Sequence, residues 1–181
     1  MPHIDLEPGV PGIRAAMQFR PETAKPLLEL AEALLRADNT LGRGERELIA
    51  SYVSHLNRCR FCHASHRAFA GAQLEEGATL VDQVAADLET APVSEKLRSL
   101  LRIAAKVAEG GLSVLPADVE RARGEGATDV EIHDTVLIAA AFCMFNRYVD
   151  GLATWAPDDE AAYEAMAERI VTQGYLAPAR P

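Results

Sequence analysis

The sequence predicts an all-α protein, because three observations point to helices along most of its length. Leucine and alanine recur at spacings of three and four residues, as on one face of an amphipathic helix. Residues typical of helix starts, such as Ser94 and Thr128, and glycines typical of helix ends, such as Gly110 and Gly174, bracket these segments. No segment alternates polar and apolar residues as a half-buried strand does.

Length and composition are those of one globular domain with a modest extension. The chain has 181 residues, of which 49% are hydrophobic and only 6% aromatic, so alanine, leucine and valine must fill the core. We expect an N-terminal arm over residues 1–20, a single helical domain over 21–175 and a loose tail over 176–181.

Charge and hydropathy exclude several classes of function. The net charge is −9 and the sequence has no basic patch that would attract a phosphate backbone, so we expect no nucleic-acid partner. No apolar run is long enough to span a membrane, and the N-terminus lacks the apolar core of a secretory signal, so we expect a cytoplasmic protein. Three cysteines in a reducing compartment argue against a structural disulfide framework and favour a redox or metal-binding pair.

The predicted elements follow from local signals taken in chain order. Pro26 stands near the first helix start, and a tight turn at 57–58 separates the second helix from the third. Ser94 caps the fifth helix, Pro116 opens the sixth, and Thr128 with Glu131 forms a capping box before the seventh. The predicted helices are 26–37, 44–56, 59–70, 76–88, 95–109, 116–123, 131–153 and 159–173.

An internal repeat relates two of these regions. When residues 44–66 are laid on residues 133–155, six of 23 positions are identical, against roughly one or two expected by chance. The match pairs Asn57-Arg58 with Asn146-Arg147 and predicts that the fold contains two similar helical hairpins packed together. The second copy keeps the hydrophobic frame but replaces Glu47, Cys59, Cys62 and His66, which suggests that only the first copy holds a site.

The first copy contains the stretch NRCRFCHASH, whose cysteines and histidines have the spacing of one helix face. Cys59, Cys62 and His66 stand at i, i+3 and i+7, and the imidazole of His66 can reach the Cys62 thiol one turn away. His63 points about 100° away from that face.

Glu47 is expected at the same height on the preceding helix. If the chain reverses at Asn57-Arg58, Glu47 lies about 15 Å from the turn and His66 about 13 Å, so their side chains can hydrogen-bond. A carboxylate that orients an imidazole beside a thiol is the arrangement of an activated nucleophile.

The two cysteines are expected to have different roles. A thiol in the first turn of a helix is favoured as thiolate by the helix dipole, and only the thiolate is an efficient nucleophile. Cys62, one turn from His66, is the better attacking thiol. Cys59, nearer the bend and expected to be more exposed, would close a disulfide onto the sulfenic acid of Cys62, and a dithiol partner would reduce the pair.

The pattern Glu47-x11-Cys59-x2-Cys62-x3-His66 resembles the active site of the AhpD-like alkylhydroperoxidase group of the carboxymuconolactone decarboxylase superfamily. The likeness extends over about residues 20–155. It implies an all-helical trimer or hexamer that reduces organic hydroperoxides as an antioxidant enzyme, with Cys62 peroxidatic, Cys59 resolving, and Glu47 and His66 as proton relay. Some members carry a second relay histidine where this chain has Phe61. His63 or His55 is not expected to replace it.

Other chemistries fit parts of the same stretch. The residues Cys59 to His63 satisfy the haem-attachment pattern, but such attachment needs an exported chain. Zinc is less favoured, because structural sites bring ligand pairs from separate segments, so we expect neither a cofactor nor a metal. A lyase acting on a small carboxylated lactone through His66 and Glu47, and a dithiol exchange or redox-sensor protein, remain alternatives to the peroxidase. Cys143, in an apolar helix, is expected in the core.

Overall fold

The computed structural model describes residues 1–177, and the predicted tail at 176–181 lies for the most part outside these residues. The described part is all-helical, as the sequence predicts, with nine α-helices and one short 3₁₀ helix at Gly111–Ser113. The bounds of the helices are α1 Ile13–Phe19, α2 Pro21–Arg36, α3 Arg43–Leu56, α4 Arg60–Gly71, α5 Ala78–Ala86, α6 Glu95–Glu109, α7 Pro116–Gly124, α8 Asp129–Gly151 and α9 Glu160–Gln173. Within residues 1–177, no helix is both long and apolar enough to cross a bilayer.

Helix α1 and the first turns of α2 differ from the sequence prediction. The segment assigned to an N-terminal arm contains α1, whose Ala15 and Ala16 are buried and which packs against α2 and α8. Its seven residues are too few to show a helical period. Helix α2 begins at Pro21, the favoured first position, and continues through Pro26. The division into arm, domain and tail stays a prediction.

Helix α3 is the centre of the bundle. It packs against α4, α8, α6, α5 and α2, and its buried face includes Leu48, Ile49, Ala50 and Val53, none of which is measurably exposed. Helix α9 packs on the far side of α4. The helix that carries the cysteines therefore lies between the central helix and the last one.

The turn predicted at residues 57–58 is present, and the predicted long helix continues through the matching Asn146-Arg147 pair. Arg58 adopts a left-handed backbone (φ 60°) and turns the chain between α3 and α4. Helix α8 instead runs straight through Asn146-Arg147, where the Asn146 amide donates to Ser54 Oγ at 3.0 Å and accepts from Asn57 Nδ2 at 2.8 Å. The second asparagine of the matched pairs thus joins α8 to the turn between α3 and α4.

A buried carboxylate ties the start of α8 to its neighbours. Glu131 is 1% exposed and accepts hydrogen bonds from the Thr128 amide at 2.7 Å, Thr40 Oγ1 at 2.8 Å and Lys96 Nζ at 2.8 Å. Burial alone would raise its pKa, but the hydrogen bonds from Lys96, Thr128 and Thr40 outweigh burial and hold the pKa at about 2.

Acid is expected to weaken the fold through this carboxylate. Because its pKa is depressed from 4.5 to about 2, its contribution is complete above pH 4.5 and is lost as the pH falls toward 2. The contribution is on the order of 3 kcal/mol. Chemical denaturation of the wild type and Glu131→Gln at several acidic pH values measures it. Equal slopes of unfolding free energy against pH in both proteins would contradict the prediction.

Candidate functional site

The reversal at Arg58 brings Glu47 of α3 and His66 of α4 into contact. Glu47 Oε2 and His66 Nδ1 are 2.6 Å apart, and the two residues are 1% and 9% exposed. The hydrogen bond that the spacing predicts is therefore present. A buried carboxylate without a partner would be strongly destabilising, so the hydrogen bond with His66 helps to stabilise the buried Glu47.

The same carboxylate has a second partner, which the sequence did not reveal. Tyr175 Oη donates to Glu47 Oε1 at 2.6 Å, and its ring is stacked on that of His66 at 6.5 Å between centroids. Burial, followed by the charge of Glu47, raises the pKa of Tyr175 well above its usual value, so the phenol keeps its proton and remains a donor.

The segment that carries Tyr175 is fixed to α2. Gly174 ends α9 with φ 83°, a conformation that suits glycine. The Tyr175 amide donates to Glu32 Oε2 at 2.7 Å, and Arg36 Nη1 donates to the carbonyl of Ile170 at 2.8 Å. These contacts hold the phenol over Glu47.

The orientation of His66 follows from its neighbours. A carboxylate only accepts hydrogen bonds, so the proton shared with Glu47 sits on Nδ1 and leaves Nε2 free to accept. The rings of Phe142 and Phe69 meet the imidazole edge-on, with centroids at 4.5 Å and 5.1 Å. The arrangement sets both the tautomer and the plane of the ring.

The two cysteines occupy the first turn of α4. Cys59 is the N-cap and Cys62 the third helical residue, and both thiols are free. Their exposures are 0% for Cys59 and 4% for Cys62, so the expectation that Cys59 is the more exposed is wrong. Cys59 belongs to a buried apolar cluster that includes Val149 of α8 and Tyr163 of α9. The interaction with the Cys62 side chain, followed by burial, raises the pKa of Cys59.

Phe61, which lies between the two cysteines, has a packing role. Gly12, the N-cap of α1, has φ 56° and lies so close to the ring that an added Cβ would be 2.2 Å from Phe61 Cδ1. The phenyl ring therefore helps to fix α1 against the first turn of α4.

The remaining candidate residues lie elsewhere. His63 Nδ1 is 3.1 Å from Ser51 Oγ, its pKa is lowered by burial, and its ring is 5.1 Å from that of His55. Cys143 is half-buried and accepts from Asn57 Nδ2 at 3.4 Å. Within residues 1–177, no group of three or more His, Cys, Asp and Glu side chains is arranged to hold a metal ion.

Cys62 and His66 line a cavity of about 100 Å³ between α1, α2, α4, α8 and α9. Its walls are mostly aliphatic and aromatic, and Cys59 does not line it. The polar or reactive side chains in its lining are Arg14, Cys62, Ser65, His66, Arg169 and Tyr175. An apolar cavity with a few convergent polar groups is typical of a site for a small organic molecule.

Comparison with known proteins identifies a family and a fold. The model of the carboxymuconolactone decarboxylase family matches residues 21–91 and 77–156. The structure resembles the alkylhydroperoxidase AhpD core of an uncharacterized peroxidase-related protein from Ralstonia eutropha JMP134, with a TM-score of 0.77, 29% identity, and coverage of 87% of this chain and 81% of that one. An uncharacterized peroxidase-related protein from Silicibacter sp. TM1040 gives a TM-score of 0.76, 28% identity and the same coverages. A comparison with curated proteins finds no significant match.

Proposed function

Because the chain belongs to the carboxymuconolactone decarboxylase family, in its AhpD-like group, we propose that it is a thiol peroxidase that reduces organic hydroperoxides through Cys62 and Cys59. The observation that carries the proposal is the position of His66, which lines the same apolar cavity as Cys62 and is held from behind by Glu47, with Nδ1 and Oε2 2.6 Å apart. The family's lyase chemistry would use the same pair without the thiols.

In the first step, His66 Nε2 accepts the proton of the Cys62 thiol, and Glu47 stabilises the imidazolium through Nδ1. The thiolate attacks the terminal oxygen of the hydroperoxide, an S–O bond forms and the O–O bond breaks. The departing alkoxide takes the proton from His66. The products are an alcohol and the Cys62 sulfenic acid, so Cys62 is oxidised by two electrons and the peroxide is reduced by two.

In the second step, the sulfur of Cys59 attacks the sulfenic sulfur of Cys62. The S–O bond breaks, the hydroxyl leaves with the Cys59 proton as water, and a disulfide forms. The raised pKa of Cys59 keeps this thiol protonated until that moment, so it does not compete for the peroxide. A dithiol protein then returns two electrons and two protons by exchange.

We also propose that the chain forms the trimer or hexamer that its group implies. Val130, Leu137 and Met144 of α8 are exposed at intervals of seven residues and give this helix an apolar outer stripe. The molar mass from light scattering tests this assembly.

The function is tested by counting thiols. Reduced protein treated with a slight excess of tert-butyl hydroperoxide is expected to lose two of its three thiols per chain, with one equivalent of alcohol released. Cys143→Ser serves as the control and should still lose two, because Cys143 lies outside the cavity. Turnover with a dithiol donor separates a peroxidase from an exchange protein. An unchanged thiol count, with proton uptake on a lactone acid, would contradict the proposal.

A further inference from the structure

Two side chains in the cavity have polar atoms without a partner. Among residues 1–177, buried side-chain nitrogen and oxygen atoms that lack a hydrogen bond are Arg14 Nε, Arg46 Nε, Ser65 Oγ, Ser99 Oγ and Thr135 Oγ1. Ser65 and Arg14 both line the cavity, and Ser65 is only 3% exposed. Buried polar groups are costly unless they are paired, so these two atoms indicate a ligand with polar groups at two places.

The two arginines of the lining come from opposite ends of the chain. Arg14 lies on α1 and Arg169 on α9. Neither has a carboxylate within ion-pair distance in the part of the chain that the structure describes, and the one hydrogen bond of Arg169 there goes to the carbonyl of Ala177 at 3.2 Å. Burial and the neighbouring charge of Arg14 lower the pKa of Arg169. Two close guanidinium groups without an anion favour binding one.

The two arginines border both the cavity and a second pocket at the surface. Arg14, Met166 and Arg169 also line a surface pocket of about 360 Å³, whose other walls include the exposed Thr172 and Gln173. Cys62, Ser65 and His66 do not line that pocket. A ligand group held by the two arginines would therefore lie where the cavity and the surface pocket meet.

From this arrangement we propose that the site takes an organic hydroperoxide that carries a carboxylate, which deepens the proposed function and rests on it. The guanidinium groups of Arg14 and Arg169 bind the carboxylate, and the apolar walls enclose the carbon chain. The hydroxyl of Ser65 donates a hydrogen bond to the peroxide oxygen that leaves as alkoxide. This oxygen takes its proton from His66, so Ser65 changes no bond and only stabilises the developing charge.

The size of the cavity limits the carbon chain. Its volume of about 100 Å³ is below the ~300 Å³ of the smallest common ligand pockets, so the segment between peroxide and carboxylate must be short. Glu168 also lines the surface pocket, and its charge disfavours a second carboxylate there. The preferred substrate is therefore a small monocarboxylate.

The test compares a tertiary alkyl hydroperoxide that carries a terminal carboxylate with its methyl ester, which has the same shape without the charge. In the wild type, kcat/KM is expected to be about 10- to 100-fold higher for the acid, the effect of a charge-assisted hydrogen bond. Arg14→Gln and Arg169→Gln should each lower this ratio about tenfold, and Arg14→Lys should keep part of it. Arg121→Gln, with the same loss of charge on the exposed surface of α7, is the matched control and should keep the ratio.

Ser65→Ala is expected to leave the acid-to-ester ratio at its wild-type value and to lower kcat for both peroxides about tenfold. An acid-to-ester ratio near one in the wild type, or a ratio that both Arg→Gln variants leave unchanged, would overturn the inference. A second measurement does not depend on peroxide chemistry. Calorimetry measures the binding of the corresponding hydroxy acid, the product of the reaction, to the Cys62→Ser variant. If the hydroxy acid binds through the arginines but peroxide oxidises no thiol, the peroxidase proposal is refuted and the carboxylate site is supported. If peroxide oxidises the thiols but the acid and the ester react equally well, the carboxylate site is refuted and the peroxidase proposal is supported.

Discussion

Cys62→Ser is expected to abolish peroxide reduction, and Cys59→Ser to stop it halfway. A serine hydroxyl at position 62 is far less nucleophilic than a thiolate, so the rate of peroxide consumption should fall at least about a thousandfold. Cys59→Ser keeps the attacking thiol and loses the resolving one. It should consume one peroxide per chain at close to the wild-type rate and accumulate a sulfenic acid.

Stopped-flow measurement of peroxide loss, with mass spectrometry after trapping by dimedone, distinguishes the two variants. A dimedone adduct at Cys62 in Cys59→Ser, and none in Cys62→Ser, is the expected pattern. The reverse pattern would make Cys59 the attacking thiol. That result would also be difficult to reconcile with the cavity, which Cys62 lines and Cys59 does not.

Glu47→Gln is expected to lower kcat/KM by about 10²- to 10⁴-fold, the range of general acid–base catalysis, with little change in side-chain volume. Tyr175 Oη donates to Glu47 Oε1, so the glutamine oxygen would occupy that position and turn the amide NH₂ toward His66 Nδ1. An amide that donates to Nδ1 forces the imidazole proton onto Nε2, which can then no longer accept the thiol proton.

Tyr175→Phe is the matched comparison. It removes one donor from the carboxylate and leaves the hydrogen bond between Glu47 and His66 in place, so kcat/KM should fall only about tenfold. Equal losses of kcat/KM in the two variants would show that Glu47 acts only in stability.

The contact between Glu47 and His66 could be predicted because it lies within one hairpin. Two helices joined by a tight turn place residues at equal distances from the turn at equal heights, and 1.5 Å per residue is all that the estimate requires. Tyr175 could not be found in this way. It is 128 residues from Glu47, and its position depends on where Gly174 ends α9 and on the contact with Glu32.

The two Asn-Arg pairs of the internal repeat show that identical residues do not impose identical backbones. The left-handed residue that ends the turn after α8 is Ala153, seven positions beyond Asn146, while the backbone at Asn146 stays helical. The hydrogen bonds from the amides of Cys59 to Ser54 and of Thr154 to Val149 both span five residues, so the two helices do end alike. The identical side chains are Asn57 and Asn146, whereas the residues with the same left-handed backbone are Arg58 and Ala153.

The predicted reactive residues and part of the cavity wall lie in different parts of the chain. The two matches of the family model together span residues 21–156, which include Cys59, Cys62, Glu47 and His66. Arg14, Met166, Arg169 and Tyr175, which complete the cavity, all lie outside that span. Exchanging the two ends of the chain is therefore expected to change which molecule the cavity admits, while the hydrogen bond between Glu47 and His66 is kept.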